Sequence, residues 1–146
     1  MAFTKLLVPI DFSETSLHAL RLAIHVARQG NTRLHLLHVG TIPYVDAGPF
    51  GASVPALLIE ANNQMAIEAK VGLDRVAREE VPAGMEVSTE VRSGFPPEEI
   101  LDEAAACKAD LIVLGTHGRT GLERVVLGSV AERVIRGAKI PVLTTH

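Results

Sequence analysis

The residues best suited to chemistry lie between Gly115 and Ser129. Gly115, Gly118 and Gly121 fall close together, and Gly128-Ser129 follows the apolar-rich stretch 122–127. Glycine lets a backbone N–H approach a bound group closely. A helix start adds unpaired N–H donors and the positive end of the helix dipole. A glycine turn leading to a Gly-Ser pair at a helix start is therefore suited to an anion, phosphate above all. His117 and Arg119 would add a donor or a charge, and the Ser129 hydroxyl another contact. Gly128 reads as interior to an apolar helical run. There it costs about 1 kcal/mol relative to alanine, a cost that close approach to phosphate would explain.

Regular elements must hold that turn in place. The apolar run Leu111-Ile112-Val113-Leu114 precedes it and the helical pattern Val130-Ala131-Glu132-Arg133-Val134-Ile135-Arg136 follows. Along the whole chain, apolar runs alternate with 3.6-period patterns. Strands are expected at 3–9, 33–39, 85–92, 109–114 and 140–145. Helices are expected at 14–29, 54–80, 97–108 and 127–136. In the second helix Leu58, Met65, Ala69 and Val76 are expected to face inward. Such βα alternation predicts an α/β fold, one open, mainly parallel five-stranded sheet with helices on both faces, Rossmann-like. Right-handed crossovers and a strand order of 3-2-1-4-5 are expected, within a single domain spanning 1–146. The Gly/Pro-rich stretch 40–53 is the one long loop, of the length that serves as a lid or a linker.

Ligands of such sheets bind beyond the carboxyl ends of the strands, where the strand order reverses. The reversal lies between the first and fourth strands. The turn Pro9-Ile10-Asp11-Phe12-Ser13 would then face the glycine turn across one crevice. Asp11 would accept hydrogen bonds from ribose hydroxyls or an adenine amino group. Alternatively, Asp11 or Ser13 caps the first helix.

Other chemistries are disfavoured. The chain lacks Gly-x4-Gly-Lys-Ser/Thr, which argues against a Walker-type site. It lacks Gly-x-Gly-x-x-Gly after the first strand, which argues against the dinucleotide fingerprint. His35 and His38 point to opposite faces of one strand. His18 and His25 share a helix face without a third ligand, so the six histidines form no zinc set. A net charge of -3 with no Lys/Arg run argues against a nucleic-acid partner. The single cysteine, Cys107, excludes an intrachain disulfide and reads as a small, partly buried side chain. No apolar stretch approaches the length needed to span a bilayer, and the N-terminus lacks a signal-peptide pattern. A soluble, cytoplasmic protein is expected.

These residues resemble the universal stress protein family, of its ATP-binding kind. That family's Gly-x2-Gly-x9-Gly-Ser/Thr signature matches Gly115-x2-Gly118-x9-Gly128-Ser129. The opening Leu7-Val8-Pro9-Ile10-Asp11-Phe12-Ser13, the turn Gly94-Phe95-Pro96-Pro97-Glu98-Glu99-Ile100 and the closing Ile140-Pro141-Val142-Leu143 are also similar to it. The resemblance implies ATP in the crevice. Asp11 and the Val39 backbone would meet adenine and ribose, with Pro9 and Ile10 in the same turn. Gly115 would touch ribose, and Gly118, Gly128, Ser129 and Val130 would hold the phosphates. Mg²⁺ or Mn²⁺ would ride on the phosphates with few protein ligands. It further implies a homodimer paired through the last strand (140–145), acting as a nucleotide-dependent regulatory module in a stress response and read by a protein partner. The alternative is a slow ATPase or self-phosphorylating enzyme at the same site, with Ser129 or Thr116 as acceptor.

Overall fold

The computed structural model describes residues 3–41, 55–116 and 127–146. Nine elements follow in strict alternation: β1 (Lys5–Pro9), α1 (Glu14–Ala27), β2 (Arg33–Gly40), α2 (Ala56–Glu80), β3 (Val87–Ser93), α3 (Pro96–Ala106), β4 (Leu111–Gly115), α4 (Ser129–Gly137) and β5 (Val142–Thr145). The sheet has the order β3-β2-β1-β4-β5, and every pair is parallel. The expected topology is therefore found, with β1 and β4 side by side at the reversal.

β1 lies at the centre of the sheet, so both its faces are covered and its apolar run needs no alternation. Leu6, Leu7 and Val8 are fully buried. The core divides along the sheet. Leu6, Val8, Leu34 and Leu36 pack beneath α1 and α2 with Ala19, Leu20, Ala23, Ile24 and Leu73. Leu7, Leu37, Ile112 and Leu114 pack beneath α3 and α4 with Ile100, Ala104, Ala131 and Val134. The small residues Ala19, Ala23 and Ala27 on α1 are all buried, which brings that helix close to the strands.

α2 departs from expectation. Of its apolar residues only Leu73 is fully buried, while Leu58 is 38% and Met65 61% exposed. The reason is length. Twenty-five residues of helix run about 37 Å, whereas the eight residues of β2 cover about 26 Å. Next in order after β2, α2 runs back against the strands, and residues of its first half line the cavity at their carboxyl ends.

On the other face a buried ionic network ties α3 to the sheet. Glu103 accepts from Arg92 Nη1 at 2.7 Å and pairs with His35 Nε2 at 2.8 Å. Arg92 also donates to Glu99 at 2.7 Å, and His35 Nδ1 meets Ser88 Oγ at 2.7 Å. The Glu103 carboxylate, with Glu99 beside it, holds the Arg92 guanidinium above the ordinary arginine range against the opposing effect of burial. Cys107, half-buried as expected, has its thiol pushed up by burial.

Candidate functional site

The sequence-predicted residues that fall in the described segments converge. Pro9, Ile10, Asp11, Val39, Gly115, Gly128, Ser129 and Val130 all line one cavity of about 840 Å³ at the carboxyl ends of the strands. That volume suits a nucleotide-sized ligand. His117, Gly118 and Arg119 lie outside the described residues, as do Gly121 and most of the long 40–53 loop.

One wall is the start of α4. Gly128 is its N-cap, with φ -60 and ψ 150, and no side chain caps the helix. The first intrahelical bond runs from Glu132 N to Gly128 O at 2.9 Å. The N–H groups of Ser129, Val130 and Ala131 therefore precede the hydrogen-bonded ladder and carry the helix's positive end. This corrects the reading of Gly128 as a helix-interior glycine. It sits outside the helix, in extended backbone open to any residue, and bears no interior penalty. The bond from Gly128 N to Thr116 O, at 2.7 Å, fixes this corner. Thr116 N in turn donates to Thr145 O at 2.8 Å, so the ends of β4 and β5 and the start of α4 are linked.

The opposite wall is the β1–α1 turn. Ser13, not Asp11, is the N-cap of α1, and its hydroxyl accepts from Ser16 N at 3.2 Å. Asp11 braces that cap: its Oδ1 accepts from Ser13 N at 2.9 Å and from the Ser13 hydroxyl in a short contact. Between them Phe12 adopts φ 65, a left-handed conformation that costs a non-glycine residue about 1–2 kcal/mol. That turn sets the Phe12 ring 4.8 Å from His38 and against Gly72 of α2. His38 Nδ1 donates to Ile10 O at 2.7 Å. A carbonyl only accepts, so this nitrogen carries hydrogen. Phe12, His38 and the α2 residues Met65, Glu68, Ala69, Gly72 and Arg75 also line the cavity. The sequence reading placed Phe12 in this turn and turned Met65 and Ala69 inward, but assigned none of these residues to the site. An aromatic beside Asp11 and a histidine beside Val39 were the available signals.

The floor presents open backbone. Ile10 N donates to Leu37 O at 2.7 Å on the β1 side of β2. Val39, two residues on, turns its N–H and C=O the same way. The register pairs Pro9, the last residue of β1, with Leu37. The Val39 peptide groups therefore face the cavity beyond the end of β1.

Gly115, at the rim of the cavity, also stands close to α1. A Cβ there would lie 2.7 Å from Thr15 Cγ2 and 2.9 Å from Thr15 O. Its missing side chain makes room for α1.

A second cluster of donor groups stands apart from this cavity. His35, Glu103 and Cys107 offer ligand atoms within 4.8 Å of one another. The sequence argument compared histidines only with one another and missed it. Both His35 nitrogens and Glu103 are already engaged by Ser88 and Arg92 and by each other, so the cluster reads as structural. Among the described residues, no helix is long and apolar enough to cross a membrane.

Known proteins share this fold. A sequence profile described as the Universal stress protein family matches residues 2–146. Universal stress protein MJ0531 of Methanocaldococcus jannaschii is 40% identical over 146 residues, covering 97% of this chain and 81% of that protein. The solved structure of MJ0577, from the same organism, superposes with a TM-score of 0.86 at 32% identity, covering 99% of this chain and 96% of that one. A universal stress protein from Archaeoglobus fulgidus, solved in complex with dAMP, superposes with a TM-score of 0.60 at 26% identity, covering 99% and 98% of the two chains. A match over nearly every residue, joined to a parallel sheet of the same form, means that this chain belongs to the universal stress protein family.

Proposed function

We propose that this chain binds ATP in the crevice between the β1–α1 turn and α4, and that occupancy is read by a partner as part of a stress response. The observation that carries the reading is the uncapped start of α4 on the wall of a nucleotide-sized cavity. The N–H groups of Ser129, Val130 and Ala131 would take phosphate oxygens, with the Ser129 hydroxyl beside them. The Val39 peptide would take the adenine edge, and Asp11 the ribose or the adenine amino group. His117, Gly118 and Arg119 would complete the phosphate end. The dAMP complex of the related A. fulgidus protein supports an adenine nucleotide as the ligand class.

The donor set fits Mg²⁺ or Mn²⁺ carried by the phosphates. The carboxylates lining the cavity are Asp11 and Glu68, neither of them on α4, so the metal would keep mostly phosphate and water oxygens. The reading is of a binding module. Among the described residues Ser129 has no hydrogen-bonded base, and an unactivated hydroxyl is a weak nucleophile. A homodimer would form through β5, an edge strand with Val142 and Leu143 at its start.

The test is calorimetric titration of nucleotide-stripped protein with ATP and Mg²⁺. Saturable binding is expected, and Gly128→Val should lose it while keeping the fold, because the backbone at 128 suits any residue. Equal affinity in that variant, or no binding by the folded wild-type chain, would overturn the assignment.

A further inference from the structure

α2 shows three faces. Leu73, Val76 and Ala77 pack into the core. Met65, Ala69 and Gly72 line the crevice. The third face carries Ile67 at 59% and Val71 at 63% exposure, and at its edge Asp74 accepts from Lys70 and from Thr89 of β3. These two residues belong to a longer stripe. Glu60, Gln64, Ile67, Val71, Asp74 and Arg78 recur at alternating spacings of four and three, the repeat of a helix-pairing seam.

The order of residues along the stripe is its most specific feature. It begins at acidic Glu60, is apolar at Ile67 and Val71 and ends at basic Arg78, with Asp74 just before that end. Reversed end for end, its outermost charges and its apolar centre are complementary. In an antiparallel pair about a two-fold axis between Ile67 and Val71, Ile67 meets the partner's Val71 and Gln64 meets the partner's Asp74. Glu60 then meets the partner's Arg78, at both ends of the seam. Glu60 and Arg78 are exposed, and neither is in a contact ion pair with another described residue, although Arg78 acts at longer range on Asp74. A parallel pair would instead set like charges against each other.

We propose that α2 pairs with α2 of a second copy of this chain through this stripe. The apolar centre is small, so the contact is of the weak, transient class. α2 packs on β2 and β3, at the sheet edge opposite β5. The α2 seam therefore uses a surface separate from the last strand, and the two together would join dimers into tetramers.

The test is sedimentation equilibrium of the full chain from about 20 µM to about 1 mM. The wild type should show a step in which mass doubles. Glu60→Arg and Arg78→Glu should each weaken that step about 10-fold, since each turns two attractive pairs into repulsive ones. An equimolar mixture of the two variants should restore it, because each then meets opposite charges across the seam. That restoration also shows that both variants are folded. A doubling step indifferent to both variants, a mixture that fails to restore it, or no doubling step at all would overturn the proposal.

Discussion

Gly115 and Thr15 lie so close that a Cβ on Gly115 would sit 2.9 Å from the Thr15 carbonyl oxygen. Backbone cannot rotate aside as a long side chain can, so an added methyl must push α1 away from β4. Gly115→Ala is expected to cost about 1–3 kcal/mol. A lowered urea midpoint with an unchanged slope would show this. Any loss of nucleotide affinity in this variant would then be secondary to the shift of α1.

Gly128→Asp should separate stability from binding. Aspartate is a strong N-cap, and its carboxylate would accept from the free N–H groups at the start of α4. Stability is expected to rise by only about 0.2–0.4 kcal/mol, since glycine is itself a tolerable N-cap. Nucleotide affinity should fall by at least about 10-fold, because a resident anion then occupies the donors. Thermal melts and calorimetric titration on the same sample would measure both. An affinity that survives would mean that the phosphates lie elsewhere.

Glu103→Ala should be among the most damaging single changes outside the crevice. Glu103 has 11% side-chain exposure and bonds both Arg92 and His35. Its removal leaves buried His35 Nε2 without its partner and Arg92 with Glu99 alone, a loss of about 2 kcal/mol. Equilibrium denaturation of wild type and variant would give the difference directly.

Asp110 sets an acid limit at the amino end of the sheet. Burial pushes its carboxyl up, but the Thr4 N–H, the Thr4 hydroxyl and the Lys5 N–H outweigh this and hold it below the usual carboxylate range. A depressed value in the folded chain means stability that is complete above the ordinary carboxylate pKa of about 4 and lost as pH falls through the lower folded value. Asp110→Asn is therefore expected to cost about 1.5 kcal/mol at neutral pH. The gap from wild type should close on acidification through that window, as a series of urea titrations would show.

The strand order was legible because alternation and right-handed crossovers leave few other arrangements, and two unusual turns marked the reversal. Asp11 and Ser13 were both read as possible caps. Geometry divides the work between them, one as the cap and one as its brace. Gly128 was misplaced because Leu127 continues the apolar pattern into a residue that is not helical. The inward face of α2 was only partly legible: Val76 packs on the core as expected, but Leu58 and Met65 do not, because periodicity reports that a helix has an apolar side, not how far the sheet beneath it reaches. The contact of His35 with Glu103 spans 68 residues of sequence, and no local pattern announces a pairing made by the register of β2 against α3.

The bond from Gly128 N to Thr116 O closes the chain on itself around residues 117–127. Both anchors are held independently, Thr116 by the end of β5 and Gly128 by the first turn of α4. The entropy of such a closure grows only slowly with the length enclosed. Relatives could then exchange, shorten or extend this one segment with little disturbance to the sheet. Ligand preference could drift from one nucleotide to another while the scaffold remains the same, and a chimera carrying a relative's segment between these two anchors would be expected to fold.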